Sequence, residues 1–502
     1  MPISERAGAA RRNTEPDHLA SQTTFADEAR IALDTLTGRI SGLAHPSLRL
    51  GVTGLSRAGK TVFITALVHN LLHGGRLPLF EAAKSGRIGR SYLEHQPDDA
   101  VPRFQYEDHV AALLNDRLWP ESTRAISELR LTIEYESASG WRRTFSPGRL
   151  SIDIVDYPGE WLLDLPLLGK DFAEFSRDAF ELAGLDVRRD LAGSWHALAG
   201  TVDPQADADE MTARRLAESF TAYLRACKAD DRALSTLPPG RFLMPGDLEG
   251  SPALTFAPLP GIETAKPRPG SLHAMMQRRY EAYKTHVVRP FFREHITRLD
   301  RQIVLIDALQ ALNAGPGAVA DLERALTEIL ACFRPGTTNL LTGLFARRID
   351  RILVAATKAD HLHHESHDRL QAIVRRLANR AAKQADLSGA KVDVLAMAAV
   401  RATREGTVRQ KGEVLPVIIG TPLEGETIGR EKFDGKTETA VFPGDLPRRA
   451  DDVFNENGTA SAIRFVRFRP PRLEQTEDGV TLSLPQIRLD RALQFLIGDA
   501  LA

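Results

Sequence analysis

A glycine-rich run near the start of the chain has the residue types of a phosphate-binding loop. Residues 54–61, GLSRAGKT, fit the spacing G-x-x-x-x-G-K-S/T and lie between a strand-like and a helix-like run. Glycines let successive N–H groups point at a phosphate, the lysine adds charge for the β and γ oxygens, and the last hydroxyl is a Mg²⁺ ligand. The predicted nucleotide and Mg²⁺ contacts are Gly54, Ser56, Arg57, Ala58, Gly59, Lys60, Thr61 and Val62.

A second motif, D-x-x-G at residues 156–159, ends an apolar run. Its carboxylate can hold Mg²⁺ through water and its glycine N–H can contact a γ-phosphate, a combination that senses a nucleoside triphosphate. Asp307 also ends an apolar run and is the alternative carboxylate, but only Asp156 is followed by the glycine. We therefore predict that Asp156 serves the metal and the nucleotide, and that Gly159 contacts the nucleotide.

A third motif, TKAD at residues 357–360, follows the strand-like run 352–356 and matches N/T-K-x-D. A carboxylate at its end accepts hydrogens from N1 and N2 of guanine together, whereas adenine offers no N1 hydrogen. Open α/β sheets bind ligands at the ends of their strands, which is where this motif lies. The predicted guanine contacts are Thr357, Lys358, Asp360 and, through a backbone N–H for O6, Ala398, Ala399 and Val400.

These motifs need a sheet whose strand ends meet at one edge. Strand-like runs alternate with helix-like runs and predict an α/β fold of the P-loop NTPase type, GTPase-like, with a mostly parallel sheet. The runs that predict strands are 48–53, 129–136, 150–155, 302–306, 351–356 and 392–397.

The stretch between residues 159 and 302 is far longer than a βαβ connection requires. It carries helical patterns at 171–185, 208–228 and 272–299, so we predict a large helical insertion. After the second core segment we predict a β-rich extension with hairpins at 408–447 and a terminal helix at 487–500. The apolar face of this helix covers the core or touches a membrane. The predicted domains are an N-terminal arm and helix (1–45), a first core segment (46–165), a mostly helical insertion (166–300), a second core segment (301–405), and β-hairpins with a terminal helix (406–502).

The charge balance excludes a chain that attracts polyanions through a general basic field. Lysine and arginine number 65 against 66 acidic residues, a net charge of −1, so we predict no nucleic-acid partner. Two cysteines form no disulfide framework and fit a reducing compartment. No apolar run approaches the length of a membrane span, and the sequence therefore predicts a cytoplasmic protein without a transmembrane segment.

Four stretches resemble the YcjX-like family of bacterial GTP-binding proteins, within the P-loop GTPase superfamily. They are residues 49–72, 152–168, 238–260 and 356–370. The resemblance implies a GTPase core with a helical insertion, bound GTP or GDP with Mg²⁺, and a cytoplasmic, stress-associated role in bacteria. It also implies a protein partner, sometimes a membrane protein, which places the chain in the cytoplasm or peripheral to the inner membrane.

The resemblance directs attention to Glu160, because many switch GTPases carry glutamine at this position. A glutamate accepts a hydrogen bond from water but donates none, and its charge is unfavourable beside a γ-phosphate unless it is protonated or displaced. We therefore predict slow turnover, with a cation supplied by a partner or by an arginine of this chain. Thr123 is the candidate switch I threonine and Mg²⁺ ligand, and Arg124 beside it can reach the phosphates; a capping threonine and a solvated arginine are the alternative.

Two other functions remain open from sequence alone. In the first, the protein is a scaffold or regulatory module that binds GDP or GTP without hydrolysing it. In the second, it is an ATPase, and the match of Asp360 to a guanine-binding motif is a coincidence. Four histidines after Asp360 also suggest a metal cluster, although a polar start to a helix explains them as well. They are His361, His363, His364 and His367.

Overall fold

A computed structural model describes residues 46–502 apart from 56, 122–124, 139–147, 231–235, 265, 334–348, 388, 411–412, 456–464 and 474–482. The arm and helix predicted at 1–45 lie outside the described residues, and so do Ser56, Thr123 and Arg124. Residues 47–502 form one compact unit.

Seven strands form the central sheet: β1 (Ser47–Gly54), β2 (Ile88–Glu94), β3 (Ser127–Tyr135), β4 (Gly148–Asp156), β5 (Arg301–Ile306), β6 (Arg351–Ala356) and β7 (Lys391–Ala396). Their order is β2-β3-β4-β1-β5-β6-β7. The five neighbouring strands β4, β1, β5, β6 and β7 run parallel. Strand β3 is antiparallel to β4, and β2 is antiparallel to β3. This mostly parallel sheet with helices is the α/β architecture that the sequence predicts.

The register brings the ends of the parallel strands to one edge. Val52 of β1 lies opposite Asp156 of β4, and Gly54 lies opposite Leu305 of β5. Ala356 of β6 is the partner of the last residue of β5 and of the last residue of β7. The loops that follow these strands carry all three motifs, so the motifs share that edge.

Thirteen α-helices lie in the described part of the chain: α1 (Lys60–Leu72), α2 (Glu81–Lys84), α3 (Tyr106–Ala111), α4 (Gly159–Leu162), α5 (Phe172–Ala183), α6 (Asp186–Gly200), α7 (Glu210–Ala229), α8 (Leu272–Tyr283), α9 (Arg289–Glu294), α10 (Ala308–Ala314), α11 (Pro316–Cys332), α12 (His367–Leu387) and α13 (Leu489–Ile497). They cover both faces of the sheet, and successive residues of β5 are therefore buried in different hydrophobic clusters. Parallel strands covered on both faces have continuous apolar sequences, as β5 does.

One cluster joins the sheet to α1 and α13, and the other joins it to α10, α11 and α12. The apolar face predicted for the terminal helix is buried in the first of these clusters. Leu489, Leu493 and Leu496 pack there with side chains of β1, β4 and β5. This helix therefore covers the core, the commoner of the two uses considered for its apolar face.

The chain between β4 and β5 is helical over most of its length, and residues 172–300 are called the helical segment below. Its predicted helical runs correspond to α5, α7 and α8, whereas α6 was not predicted. The run predicted at 272–299 is interrupted by a π-helical turn at 284–288 before α9. Phe172, Trp195 and Tyr280 share one hydrophobic cluster with residues of β5. The helical segment thus shares a hydrophobic cluster with the sheet, and its boundaries as an insertion stay predictions.

Beyond β7 the described chain forms two small antiparallel sheets. The strands are β8 (Arg404–Gln410), β9 (Glu413–Gly420), β10 (Thr427–Ile428), β11 (Glu431–Lys432) and β12 (Thr439–Val441). One sheet has the order β12-β9-β8 and the other pairs β10 with β11. The division of residues 406–502 into a separate extension stays a prediction.

Candidate functional site

The loop at 54–61 curls between β1 and α1 and ends at a helix N-terminus. The N–H of Ala58 donates to the carbonyl of Leu55 at 3.2 Å, which closes the turn. Arg57 and Gly59 have left-handed backbones, with φ of 62° and 80°. Helix α1 begins directly afterwards at Lys60, and its N-cap glycine has no side chain to occupy the first N–H groups. Such N–H groups at the positive end of a helix dipole are a site for an anion.

Lys60 lies across this loop rather than pointing away from it. Its side chain is buried, and Nζ donates to the carbonyl oxygen of Gly54 at 3.2 Å. A phosphate seated on the loop N–H groups offers this ammonium a stronger, charged acceptor.

Thr61 and Asp156 present the oxygen ligands that Mg²⁺ prefers. Thr61 is buried in the first turn of α1, and Asp156, at the end of β4, is 1% exposed. A hydroxyl and a carboxylate are hard donors, so this pair fits the predicted Mg²⁺. The Thr61 hydroxyl donates to the carbonyl of Glu121 at 3.2 Å. The chain just before the candidate switch I threonine therefore reaches the loop.

Gly159 rests against the phosphate-binding loop. A Cβ at this position would overlap the carbonyl oxygen of Gly54 and would lie 3.2 Å from Nζ of Lys60. Only glycine allows this approach, and the position therefore explains why the D-x-x-G motif ends in glycine. The second motif and the first are thus in direct contact.

Glu160 is the next residue, and its side chain is only 7% exposed. Nζ of Lys228, in the last turn of α7, lies 2.8 Å from its Oε1. Burial alone would raise the pKa of Glu160, but the hydrogen bond and charge of Lys228, with the charge of Lys60, lower it overall. Glu160 is therefore an ionised, paired carboxylate next to the phosphate loop.

Asp164 links residues 156–164, called the sensor segment below, to the helical segment. It is 2% exposed and accepts hydrogen bonds from the N–H of Gly240 at 2.7 Å, the N–H of Arg241 at 3.2 Å and the hydroxyl of Tyr283 at 2.6 Å. Burial raises the pKa of Asp164 to about 6, although these donors favour the ionised form. The Arg241 guanidinium also lies over the ring of Trp161.

Replacing Asp164 with asparagine is expected to lower the free energy of unfolding by about 1–3 kcal/mol. An amide has one acceptor oxygen, so its NH₂ would face a donor that the carboxylate now satisfies. The midpoint of urea-induced unfolding measures the effect. Asp186→Asn is the control, because the Asp186 side chain is 91% exposed and is expected to tolerate the change. Equal midpoints for the two variants would contradict the linking role of Asp164.

The TKAD loop lies at the end of β6 and carries its side chains at the same sheet edge. Lys358 has φ of 60°, and its Nζ pairs with Oδ2 of Asp307 at 2.5 Å. Asp307 also caps α10 by accepting from the N–H of Gln310 at 3.1 Å. Asp307, the alternative Mg²⁺ carboxylate, therefore caps a helix and holds Lys358 in place. The hydroxyl of Thr357 donates to the carbonyl of Ile306 at 3.2 Å.

Asp360 is 4% exposed and is fixed by residues that follow β7. Its Oδ2 accepts from the N–H of Ala402 at 2.9 Å, and its carbonyl accepts from the hydroxyl of Thr403 at 2.5 Å. Sequence reasoning missed both partners, because neither residue type signals a base-binding role. The Ala402 N–H orients the carboxylate that is predicted to bind guanine, and Thr403 holds the Asp360 backbone.

The stretch 398–400 needs one correction. The N–H of Ala398 donates to the carbonyl of Ile487 at 3.0 Å, and Ala398 accepts in return at 2.8 Å. This bridge uses the Ala398 donor, so the predicted N–H for guanine O6 falls to Ala399 or Val400, which follow it directly.

The histidines after Asp360 divide into two groups. His361 packs edge-on against Phe468, and Nε2 of His367 lies 3.3 Å from the carbonyl of Leu362. His363 and His364, by contrast, come together with Glu365 in a spacing that could hold a metal ion. Nδ1 of His364 already lies 2.6 Å from Glu405, so a carboxylate partner explains its position without a metal.

A phosphate-loop motif after the first strand of a mostly parallel sheet, with a D-x-x-G and a TKAD motif at the same edge, defines an α/β P-loop GTPase-like protein. A family model described as "YcjX-like family, DUF463" matches residues 48–501. The chain belongs to this family, which confirms the resemblance seen in the sequence.

Two curated relatives are similar along nearly their whole length. The "Ras-like GTPase YcjX" of Escherichia coli is 39% identical over 469 residues, which cover 90% of this chain and 96% of the relative. The protein of the same name from Shewanella oneidensis is 34% identical over 498 residues, which cover 94% of this chain and 99% of the relative.

In the part of the chain that the structure describes, no helix is both long enough and apolar enough to cross a membrane.

Proposed function

We propose that this protein binds GTP with Mg²⁺, hydrolyses it slowly to GDP and phosphate, and acts as a molecular switch through the helical segment. The contact of Gly159 with Gly54 and Lys60 carries the proposal, because it joins a triphosphate sensor to a phosphate-binding loop. The names of the two relatives, which call those proteins Ras-like GTPases, support the same class.

Each phosphate group has a proposed partner in this chain. Lys60 and the N-terminus of α1 hold the β- and γ-phosphates, and the N–H of Gly159 contacts the γ-phosphate. Thr61 and Asp156 would hold Mg²⁺, which supplies positive charge that neutralises the phosphate oxygens. Glu160 accepts a hydrogen bond from the attacking water.

Thr123 and Arg124 remain proposed switch I residues, the first for Mg²⁺ and the second for the phosphates. The hydrogen bond from Thr61 to Glu121 supports them, because it brings the chain two residues before Thr123 to the metal-binding hydroxyl. Otherwise the assignment of Thr123 and Arg124 rests on the order of the motifs along the sequence.

Guanine is the proposed base. Asp360 supplies an oriented carboxylate for N1–H and N2–H, and the stem of Lys358 covers the face of the ring. Thr357 anchors the loop to β5 through its hydroxyl. Ala399 and Val400 are the proposed N–H donors to O6.

The switch proposal rests on two sets of contacts made by the sensor segment. On one side Gly159 touches the phosphate loop, and on the other Glu160 and Asp164 bind Lys228, Gly240 and Tyr283. A γ-phosphate that draws in Gly159 therefore acts on the helical segment through Glu160 and Asp164 of the same short segment. A protein partner would read the nucleotide state at that segment.

Hydrogen–deuterium exchange tests the switch. We expect slower amide exchange in peptides covering 156–164 and 238–244 with a non-hydrolysable GTP analogue than with GDP. Peptides from β12 serve as the internal control and should exchange equally in both states. A change at 156–164 with none at 238–244 would reject transmission to the helical segment.

The scaffold and the ATPase alternatives predict different results from the same purified protein. A scaffold releases phosphate no faster than a Lys60→Ala variant, and an ATPase binds ATP as tightly as GTP.

A further inference from the structure

The contact between Lys228 and Glu160 lies at the place where hydrolysis would occur. Glu160 directly follows Gly159, and Gly159 touches the loop oxygen and the ammonium that flank the phosphate position. The Glu160 carboxylate feels the charge of Lys60 as well as that of Lys228. A negative side chain so close to a γ-phosphate needs a compensating cation to stay ionised there.

Lys228 supplies that cation from a distant part of the chain. It stands in the last turn of α7, and its side chain is 34% exposed while its partner carboxylate is 7% exposed. An ordinary surface ion pair contributes little, because both partners are hydrated. Here the carboxylate is buried, so removal of the lysine leaves a buried charge without its ion-pair partner beside the proposed phosphate position.

The backbone of Glu160 is fixed independently of this pair. Gly240 packs against the Glu160 peptide so closely that a Cβ would overlap its carbonyl oxygen. The hydrogen bonds of Asp164 to Gly240, Arg241 and Tyr283 hold the same segment four residues on. These backbone contacts do not involve Lys228, which meets only the Glu160 carboxylate.

We propose that Lys228 is a positioning residue for GTP hydrolysis: its ammonium neutralises Glu160 and holds the carboxylate as acceptor for the attacking water. The inference rests on the proposed function. In the step concerned, the water oxygen bonds to the γ-phosphorus, and the bond from that phosphorus to the β–γ bridging oxygen breaks. Its electron pair stays on the β-phosphate oxygen of GDP. Both water hydrogens end on the released phosphate, one on the attacking oxygen and one transferred to a phosphoryl oxygen.

Single-turnover phosphate release at saturating GTP tests the proposal in five variants. Lys228→Met is expected to slow release about 10- to 100-fold. GTP affinity, measured by fluorescence titration, should change by less than about threefold, because the loss belongs to the transition state. Lys228→Arg should restore most of the rate. Lys170→Met is the matched control, because Lys170 is another partly buried lysine, just before the helical segment, and pairs with Asp178 and Glu328. Its loss should leave the rate of phosphate release unchanged.

Glu160→Gln removes the charge that Lys228 compensates. The double variant Glu160→Gln with Lys228→Met should therefore be no slower than Glu160→Gln alone. A Lys228→Met rate equal to wild type, losses that multiply in the double variant, or equal losses of rate and affinity would each overturn the inference. If wild type releases phosphate no faster than Lys60→Ala, the proposed hydrolysis itself fails. If wild type hydrolyses GTP and Lys228→Met does so at the same rate, only the role of Lys228 fails.

Discussion

Replacing Lys60 with alanine is expected to weaken GTP binding about 100-fold and to remove detectable phosphate release. Lys60 is the cation that lies over the phosphate loop, with Nζ on the Gly54 carbonyl and beside Gly159. Alanine removes a charged hydrogen-bond donor from a largely water-excluded site, where charges interact strongly. Equilibrium titration with fluorescent GTP measures the affinity.

Lys84→Ala is the control for this prediction, since Lys84 is an exposed lysine in the last turn of α2. Both variants should keep the unfolding midpoint of wild type within the error of the measurement. GTP affinity in Lys60→Ala equal to that in Lys84→Ala would show that nucleotide binds elsewhere, and would remove the proposed site.

Replacing Asp360 with asparagine is expected to lower the preference for GTP over ATP about 100-fold. In the proposed site the Asp360 carboxylate accepts two guanine hydrogens. An asparagine amide offers one oxygen, and that oxygen can remain with the Ala402 N–H. The NH₂ group would then face guanine donors. Xanthine has a carbonyl in place of the 2-amino group, so the same NH₂ should improve binding of XTP.

Competition titrations with GTP, ATP and XTP separate this effect from damage to the fold. Misfolding weakens all three nucleotides, while loss of base recognition weakens GTP and strengthens XTP. Asp368→Asn is the control, because Asp368 lies nearby with an 86% exposed side chain. An unchanged ratio of GTP to ATP affinity in Asp360→Asn would contradict guanine recognition by the TKAD loop.

The three motifs were readable from sequence because each is a short run whose spacing reflects one local geometry. The phosphate loop needs Gly59 in a left-handed backbone and a helix starting at Lys60, and the structure has both. The close approach of Gly159 to Gly54 is likewise the physical reason for a glycine at the end of D-x-x-G. Period and apolar character also sufficed for the five parallel strands, which are buried on both faces.

The residues that orient those motifs were not readable, because they come from distant parts of the chain. Lys228, Gly240 and Tyr283 meet the sensor segment only after the helical segment has packed on the sheet. A lysine at the end of an amphipathic helix looks like any solvated charge until its partner is known. The edge strand β2 was missed for a different reason. Its sequence, IGRSYLE, has few apolar residues because the strand pairs with a neighbour on one side only.

Asp307 shows how the structure narrows an ambiguity that sequence leaves open. Both Asp156 and Asp307 end apolar strands, and composition cannot choose between them. In the fold Asp307 caps α10 and pairs with Lys358, while Asp156 lies opposite Val52 of β1, two residues before the phosphate loop begins. The position of Asp156 supports its proposed role as the Mg²⁺ carboxylate.

Single-turnover release of phosphate from GTP is the measurement that tests the central claim most directly. The protein is stripped of nucleotide, loaded with GTP labelled at the γ-phosphate and started with Mg²⁺, beside Lys60→Ala under the same conditions. We predict slow, first-order release by wild type that chelation of Mg²⁺ abolishes and Lys60→Ala does not support. A wild-type rate equal to that of Lys60→Ala, with GTP demonstrably bound, would contradict the claim that this site hydrolyses GTP.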